Sequence, residues 1–252
     1  MFKISHSKVS TYLRCLRRYE LGYVHELKPI KDAKALEVGR EYHDQVERVL
    51  NGQQYDNDNV LTHAFNKYIP HNDWNILETE KEFKYNLTDD IVIHGYIDAI
   101  AEIDGEKYIV EHKTTSDAVD EKYWDKLKLD NQILIYGLVT GIRKFIHTAV
   151  KKPTIRQRKN EAAEEYHQRC LDWYDCKEKC DYKPLTKMNS EIEDKRKELI
   201  MLAEEMRDRK FFPRNPSACR RMKCPFSGIC LNECVDDAIG YVKKEKKVEV
   251  GF

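Results

Sequence analysis

Three residues in the middle of the sequence carry a recognisable chemistry: Asp98, Glu111 and Lys113. The segments IVIHGYIDAIAEI and KYIVEHKT flank Asp104-Gly105, a dipeptide typical of a two-residue hairpin turn. Pairing outward from that turn sets Asp98 directly opposite Glu111, with Cβ atoms about 4.5–5.5 Å apart. Lys113, two residues further on, shares the face of Glu111, while Ile97, Ala99 and Val110 read as core. Carboxylates that close repel unless a cation stands between them. Such a set can hold Mg²⁺ or Mn²⁺ through hard oxygen ligands, with the lysine steadying an attacking water, which is the chemistry of metal-assisted phosphodiester cleavage. From these three residues alone, an edge hairpin with solvated charges fits as well.

The surrounding pattern supplies the elements that must position them. Residues 5–25 place Val9, Tyr12, Leu13, Leu16, Tyr19 and Tyr23 at helical spacing and predict one amphipathic helix. A second helix is expected over about 35–50, with Leu36, Gly39, His43, Val46 and Leu50 on one stripe and Asn51-Gly52 as its stop. A short helix near 60–68 follows, then three strands over 78–113. Beyond them the spacing predicts a helix over about 121–140, a strand at 145–152 stopped by Pro153, and charged helices over 160–180 and 189–210. With no repeat and no Gly/Ser linker, the expectation is one α/β domain, 1–252, whose N- and C-terminal helical parts surround a central mixed sheet with its core at about 35–155.

At this point the sequence resembles the PD-(D/E)XK nucleases of the RecB-like branch, a group that includes the AddB nuclease domain, phage exonucleases and the CRISPR-associated four-cysteine exonucleases. Gly95-Tyr96-Ile97-Asp98 resembles the family's G-x-x-D strand, and Glu111-His112-Lys113-Thr114 its (D/E)-x-K-T strand, where aspartate is commoner than the glutamate found here. Gly39-x-x-x-His43 resembles the upstream helical motif, and Gln132-x-x-x-Tyr136 the Q-x-x-x-Y motif. The resemblance implies a restriction-endonuclease-like core with Asp98, Glu111 and Lys113 catalytic. It implies a divalent metal on His43, Asp98, Glu111 and the main-chain carbonyl of His112, and Gln132 and Tyr136 beside the substrate. By residue type alone, His43 is more often a core or surface histidine, and Gln132 with Tyr136 an ordinary helical pair. The family often has a glutamate near the metal on the preceding strand; of Glu80 and Glu82, Glu82 is the one favoured here.

Eight cysteines stand at Cys15, Cys170, Cys176, Cys180, Cys219, Cys224, Cys230 and Cys234. No secretory signal is evident, so metal ligands or buried thiols are expected rather than a disulfide framework. Cys219, Cys224 and Cys230 lie in a Pro- and Gly-containing loop suited to zinc or an iron–sulfur cluster. The resemblance favours a 4Fe–4S cluster on Cys15, Cys219, Cys224 and Cys230, stapling the chain ends at about 5–25 and 211–235. The spacing departs from the usual C-x2-C, and Cys234 stands by as a substitute ligand. Cys170, Cys176 and Cys180 read as helix-borne thiols.

Lys plus Arg and Asp plus Glu both total 44, so any basic surface must be local; the run 151–159 holds five basic residues and can track phosphates or form a solvated loop. No apolar run is long enough to cross a membrane. The expectation is a cytoplasmic, metal-dependent DNA exonuclease acting in recombination, repair or phage DNA processing. The chain has no ATP-binding loop with which to unwind duplex, so it is expected to degrade available ends or to depend on a recombinase or helicase partner. The alternative is a non-catalytic DNA-binding or recombination-complex subunit that keeps an iron–sulfur or zinc site.

Overall fold

The structure is a computed structural model that describes residues 1–30, 34–221, 224–232 and 240–244. In chain order its elements are β1 (Phe2–Ile4), α1 (His6–Arg14), α2 (Leu16–Tyr19), β2 (Leu27–Pro29), α3 (Lys34–Leu50), α4 (Val60–Tyr68), β3 (Asn75–Asn86), β4 (Ile91–Ile103) and β5 (Glu106–Thr115). There follow α5 (Glu121–Lys128), α6 (Asn131–Thr140), β6 (Lys144–Lys151), α7 (Ala163–Asp172), β7 (Cys180–Thr186), α8 (Asn189–Asp208), α9 (Pro216–Arg221), α10 (Ser227–Asn232) and β8 (Tyr241–Lys243). The chain divides into two compact units: 1–37, 86–93 and 199–252 form one, and 38–85 and 94–198 the other.

In the larger unit the hairpin forms in the expected register, from Ile103↔Glu106 to Ala99↔Val110. Asp104 and Gly105 take φ of 51° and 76°, the left-handed pair such a turn needs. β5 then runs parallel to β6, with Glu111 opposite His147 and Lys113 opposite Ala149, and β7 closes this side antiparallel to β6. β3 pairs with β4. The result is a mixed sheet with helices against it, the α/β core expected. On one face Ala99, Ala101, Val110, Ile146 and Val150 meet Tyr42 and Val46 of α3 and Leu61, Ala64 and Phe65 of α4. Against the other lies α6, at a distance set by Gly137: a Cβ there would fall 2.9 Å from Ile192 Cδ1 and 3.2 Å from Phe145 Cζ.

Two of the helices expected in the larger unit are broken for identifiable reasons. The stretch over 121–140 divides at Leu129–Asp130, where the Asp130 side chain accepts from Gln132 N–H and caps α6. The stretch over 160–180 ends at Asp172, because residues 180–186 fill the open edge of β6 as β7, an edge position that tolerates Pro184. Cys180 is therefore a buried strand residue rather than a helix-borne one, and Cys176 lies exposed in the loop before it.

In the smaller unit β1 lies parallel to Ile91–Ile93, and β2 pairs antiparallel with β8, so the segment after Gly240 begins as an edge strand. The single helix expected over 5–25 breaks at Cys15, whose backbone is extended (φ −163°, ψ 113°), and resumes as α2 and a π-helical turn, Glu20–Val24. N- and C-terminal segments meet in this unit through ordinary contacts. Leu21 and Leu27 pack with Phe226 and Ile229, Tyr12 donates to Glu205 Oε1 at 2.8 Å, and Asn215 Nδ2 donates to the Arg14 carbonyl at 2.9 Å.

Those contacts, and not a cysteine-bound cluster, join the two ends, which corrects the iron–sulfur expectation. Cys15, Cys219, Cys224 and Cys230 line one hollow, yet no three cysteine sulfurs among the described residues lie within 4.8 Å of one another. All four are free, and Cys219 is exposed. Neither the 4Fe–4S cluster nor the zinc alternative is supported on these residues; Cys234 lies outside the described residues.

Candidate active site

Three elements of the larger unit converge on Asp98 of β4. From α3 comes His43, whose neighbours Tyr42 and Val46 are fully buried and fix the helix's rotation. His43 Nδ1 lies 3.5 Å from Asp98 Oδ2. The same Oδ2 accepts the His112 main-chain N–H at 2.8 Å, a hydrogen bond that takes over where the β4–β5 ladder ends at Ala99↔Val110. From β3 comes Glu80: the ligand atoms of His43, Glu80 and Asp98 all lie within 4.8 Å of one another, and this is the one group of three potential metal ligands among the described residues.

Glu80 replaces Glu82, and the backbone explains the exchange. Glu80 has φ of 44°, a left-handed residue inside a strand, the local signature of a kinked or bulged edge. Side chains alternate in one phase at Ile76 and in the other at Phe83 and Tyr85, so the kink turns Glu80 inward and leaves Glu82 exposed beside Tyr96. Gly95 serves the same junction: a Cβ there would fall 3.0 Å from the Phe83 ring, which in turn lies edge-on to Tyr136.

Glu111 and Lys113 form the second half of the site. Lys113 Nζ donates to Glu111 Oε1 at 2.5 Å and to Gln132 Oε1 at 2.7 Å, with Asp130 Oδ2 at 3.6 Å. Gln132 Nε2 donates in turn to the Tyr136 hydroxyl at 2.6 Å. The i,i+4 pair expected beside the substrate thus grips the lysine, and Tyr136 is buried. Asp130 was not legible as a member, because its place here depends on the break that starts α6. Among the described residues Glu111 Oε2 is buried and has no hydrogen-bond partner, nor does either ring nitrogen of His147, its neighbour on β6.

Electrostatics follow from crowding in a dry site. Burial, then Asp98, pushes Glu80 up to about 7. Burial and Asp98 likewise raise Glu111. Burial works against protonated His43, but Asp98 outweighs it and holds its pKa above the ordinary value; conversely His43 and the His112 N–H hold Asp98 down in spite of burial. Lys113, opposed by burial but held by Glu111 and Asp130, keeps its proton more tightly than a free lysine. The His112 ring, pushed down to about 4 by burial, is neutral and turned away, Nδ1 within 2.8 Å of Thr148 Oγ1. Two carboxylates with raised pKa values around a third that stays ionised are a site short of positive charge.

Comparison with known proteins identifies the family. The chain matches the PD-(D/E)XK nuclease superfamily over residues 3–73 and 60–231 and belongs to that superfamily. Among solved structures it is similar to SSO0001, with 20% identity, 91% of this chain and 86% of the other covered, and a TM-score of 0.50. It is also similar, more loosely, to a phage-related exonuclease from Haemophilus somnus 129PT (15% identity, 81% and 92% covered, TM-score 0.39) and to the alkaline exonuclease LHK-Exo from Laribacter hongkongensis (11%, 81% and 89%, TM-score 0.35). No curated protein matches. No described helix is long and apolar enough to cross a membrane.

Proposed function

We propose that this chain is a metal-dependent deoxyribonuclease that hydrolyses phosphodiester bonds at DNA ends. The observation that carries the reading is the convergence of His43, Glu80 and Asp98 within 4.8 Å beside the Glu111–Lys113 pair. The donor set fits a divalent cation: one imidazole, hard carboxylate oxygens, a local excess of negative charge, and the unpartnered Glu111 Oε2. His43, Glu80, Asp98 and Glu111 would hold it, with the His112 carbonyl as a further ligand, and it would supply Lewis acidity toward the phosphate and a more acidic water.

The protein's own groups define the rest. Because Lys113 retains its proton, it acts as a donor and a positive charge, steadying the attacking water or a phosphoryl oxygen, rather than as a general base. Gln132 and Tyr136 hold that ammonium in place, so their contribution to DNA hydrolysis runs through Lys113. Recombination, repair or phage DNA processing suits such an activity, with a helicase or recombinase supplying ends. The test is an end-labelled DNA assay with Mg²⁺ or Mn²⁺ and with EDTA. Cation-dependent shortening from the ends that vanishes in Lys113→Ala supports the reading, and DNA binding without cleavage under any divalent cation would convert it to the non-catalytic alternative.

A further inference from the structure

The basic run after β6 is a built arm rather than a slack loop. Parallel pairing of β5 and β6 ends at Thr115↔Lys151, and Lys152 N–H donates to the Thr115 carbonyl at 2.7 Å. Thr115 is two residues past Lys113, so the arm leaves the sheet roughly 7 Å along the strand from that lysine. From there residues 153–162 have no helix or strand, yet α7 holds them closely. Tyr166 OH donates to the Ile155 carbonyl at 3.1 Å and Arg169 Nη2 to the Arg156 carbonyl at 3.0 Å. Glu161 sits at the centre: it accepts from Arg169 through both oxygens, Nη2 at 2.9 Å, and from the Arg158 main-chain N–H at 2.9 Å.

This arrangement neutralises the one acid of the segment and directs the bases outward. Residues 151–160 contain Lys151, Lys152, Arg156, Arg158 and Lys159 and no carboxylate, and the last three are exposed. An exposed cation stripe held in shape by its own backbone contacts, beginning beside the proposed reaction centre, matches the charge of a polynucleotide backbone and has no evident packing role.

We propose that residues 152–161 form a phosphate-gripping arm that binds the DNA backbone next to the scissile end, with the Glu161–Arg169 pair as its positioning device. The inference rests on the nuclease reading of the site but is tested separately from it. Arg156→Ala/Lys159→Ala and Glu161→Gln are compared with wild type for binding fluorescein-labelled single-stranded and duplex oligonucleotides in EDTA, across a salt series, with melting temperature as a folding control. If the arm contacts phosphates, the double variant weakens binding several-fold, and the slope of log K against log salt falls by about 1.4 for single strands or about 1.8 for duplex. Which substrate shows the change identifies the form of DNA gripped. Glu161→Gln should raise KM in the cleavage assay with kcat unchanged. Unaltered salt slopes in the double variant overturn the arm even if the wild type cleaves DNA. A wild type that never cleaves, but whose salt-sensitive binding is lost in the double variant, overturns the site reading and leaves the arm standing.

Discussion

The candidate metal-binding cluster and the proposed basic arm both belong to the larger unit and are held by different means. Glu111 and Lys113 project from a strand locked in register with β6, Lys113 joins Glu111 to Gln132, and Asp98 is held by the His112 main-chain N–H and faces His43. The arm is held instead by side chains of α7 bonded to its main chain and by the Glu161 carboxylate, and three of its basic side chains face water. Buried charge at short range creates reactivity and large electrostatic effects, whereas exposed charge on a loop creates affinity that salt can erase. The two regions should therefore fail differently when altered.

The largest effect expected is at the strands. Lys113→Ala or Asp98→Ala should lower kcat by about 10³-fold or more while the far-ultraviolet circular dichroism spectrum stays native, since metal and electrostatic catalysis has that magnitude. Activity of either variant within ten-fold of wild type would remove the cluster from the chemistry. Next, Glu80→Gln should cost about 10²-fold and Glu82→Gln less than two-fold, a ratio that measures how far the β3 kink decides which glutamate serves. Stability rather than rate is the readout for Gly137→Ala, expected to lower unfolding free energy by about 1–3 kcal/mol in denaturant melts because Ile192 and Phe145 must move.

The smallest effect concerns the arm and pH. Arg169 and the Arg158 N–H hold Glu161 down to about 2, against an ordinary value near 4.5. A carboxylate depressed on folding stabilises the native arrangement above its unfolded pKa, and that contribution is lost as pH falls through the folded one. The arm should thus stay pinned from neutrality to below pH 4 and loosen only toward about pH 2. The amide resonance of Arg158, followed by NMR through an acid titration, should move with that low midpoint; a midpoint near 4.5 would show that the pair does not hold the arm.

How much of this was legible in the sequence depends on the range of the interactions. The hairpin register was readable because a two-residue turn fixes it locally, and α3 and α4 because their apolar stripes are periodic. The division of 121–140 into α5 and α6 and the strand β7 were not, since each is decided by what the segment packs against: Asp130 by its cap and Lys113, β7 by the open edge of β6. Family pattern placed Asp98, Glu111, Lys113 and His43 in one region, yet it pointed to Glu82 over Glu80 and to a cysteine cluster whose sulfurs do not gather. Motif spacing reports which residues are near in sequence order; a φ of 44° at Glu80 or an extended Cys15 decides where their side chains end up.

The kink at Glu80 has a consequence for solubility. Among the described residues β3 pairs only with β4, so its other side presents unpaired main-chain donors and acceptors over a twelve-residue strand, long enough to template addition of a second copy. A left-handed residue in mid-strand breaks the flat row of groups such a template needs, and Glu78, Lys81, Glu82 and Lys84 place charge along it. The distortion that turns a carboxylate toward the candidate metal site therefore also guards the sheet's exposed border against edge-to-edge aggregation.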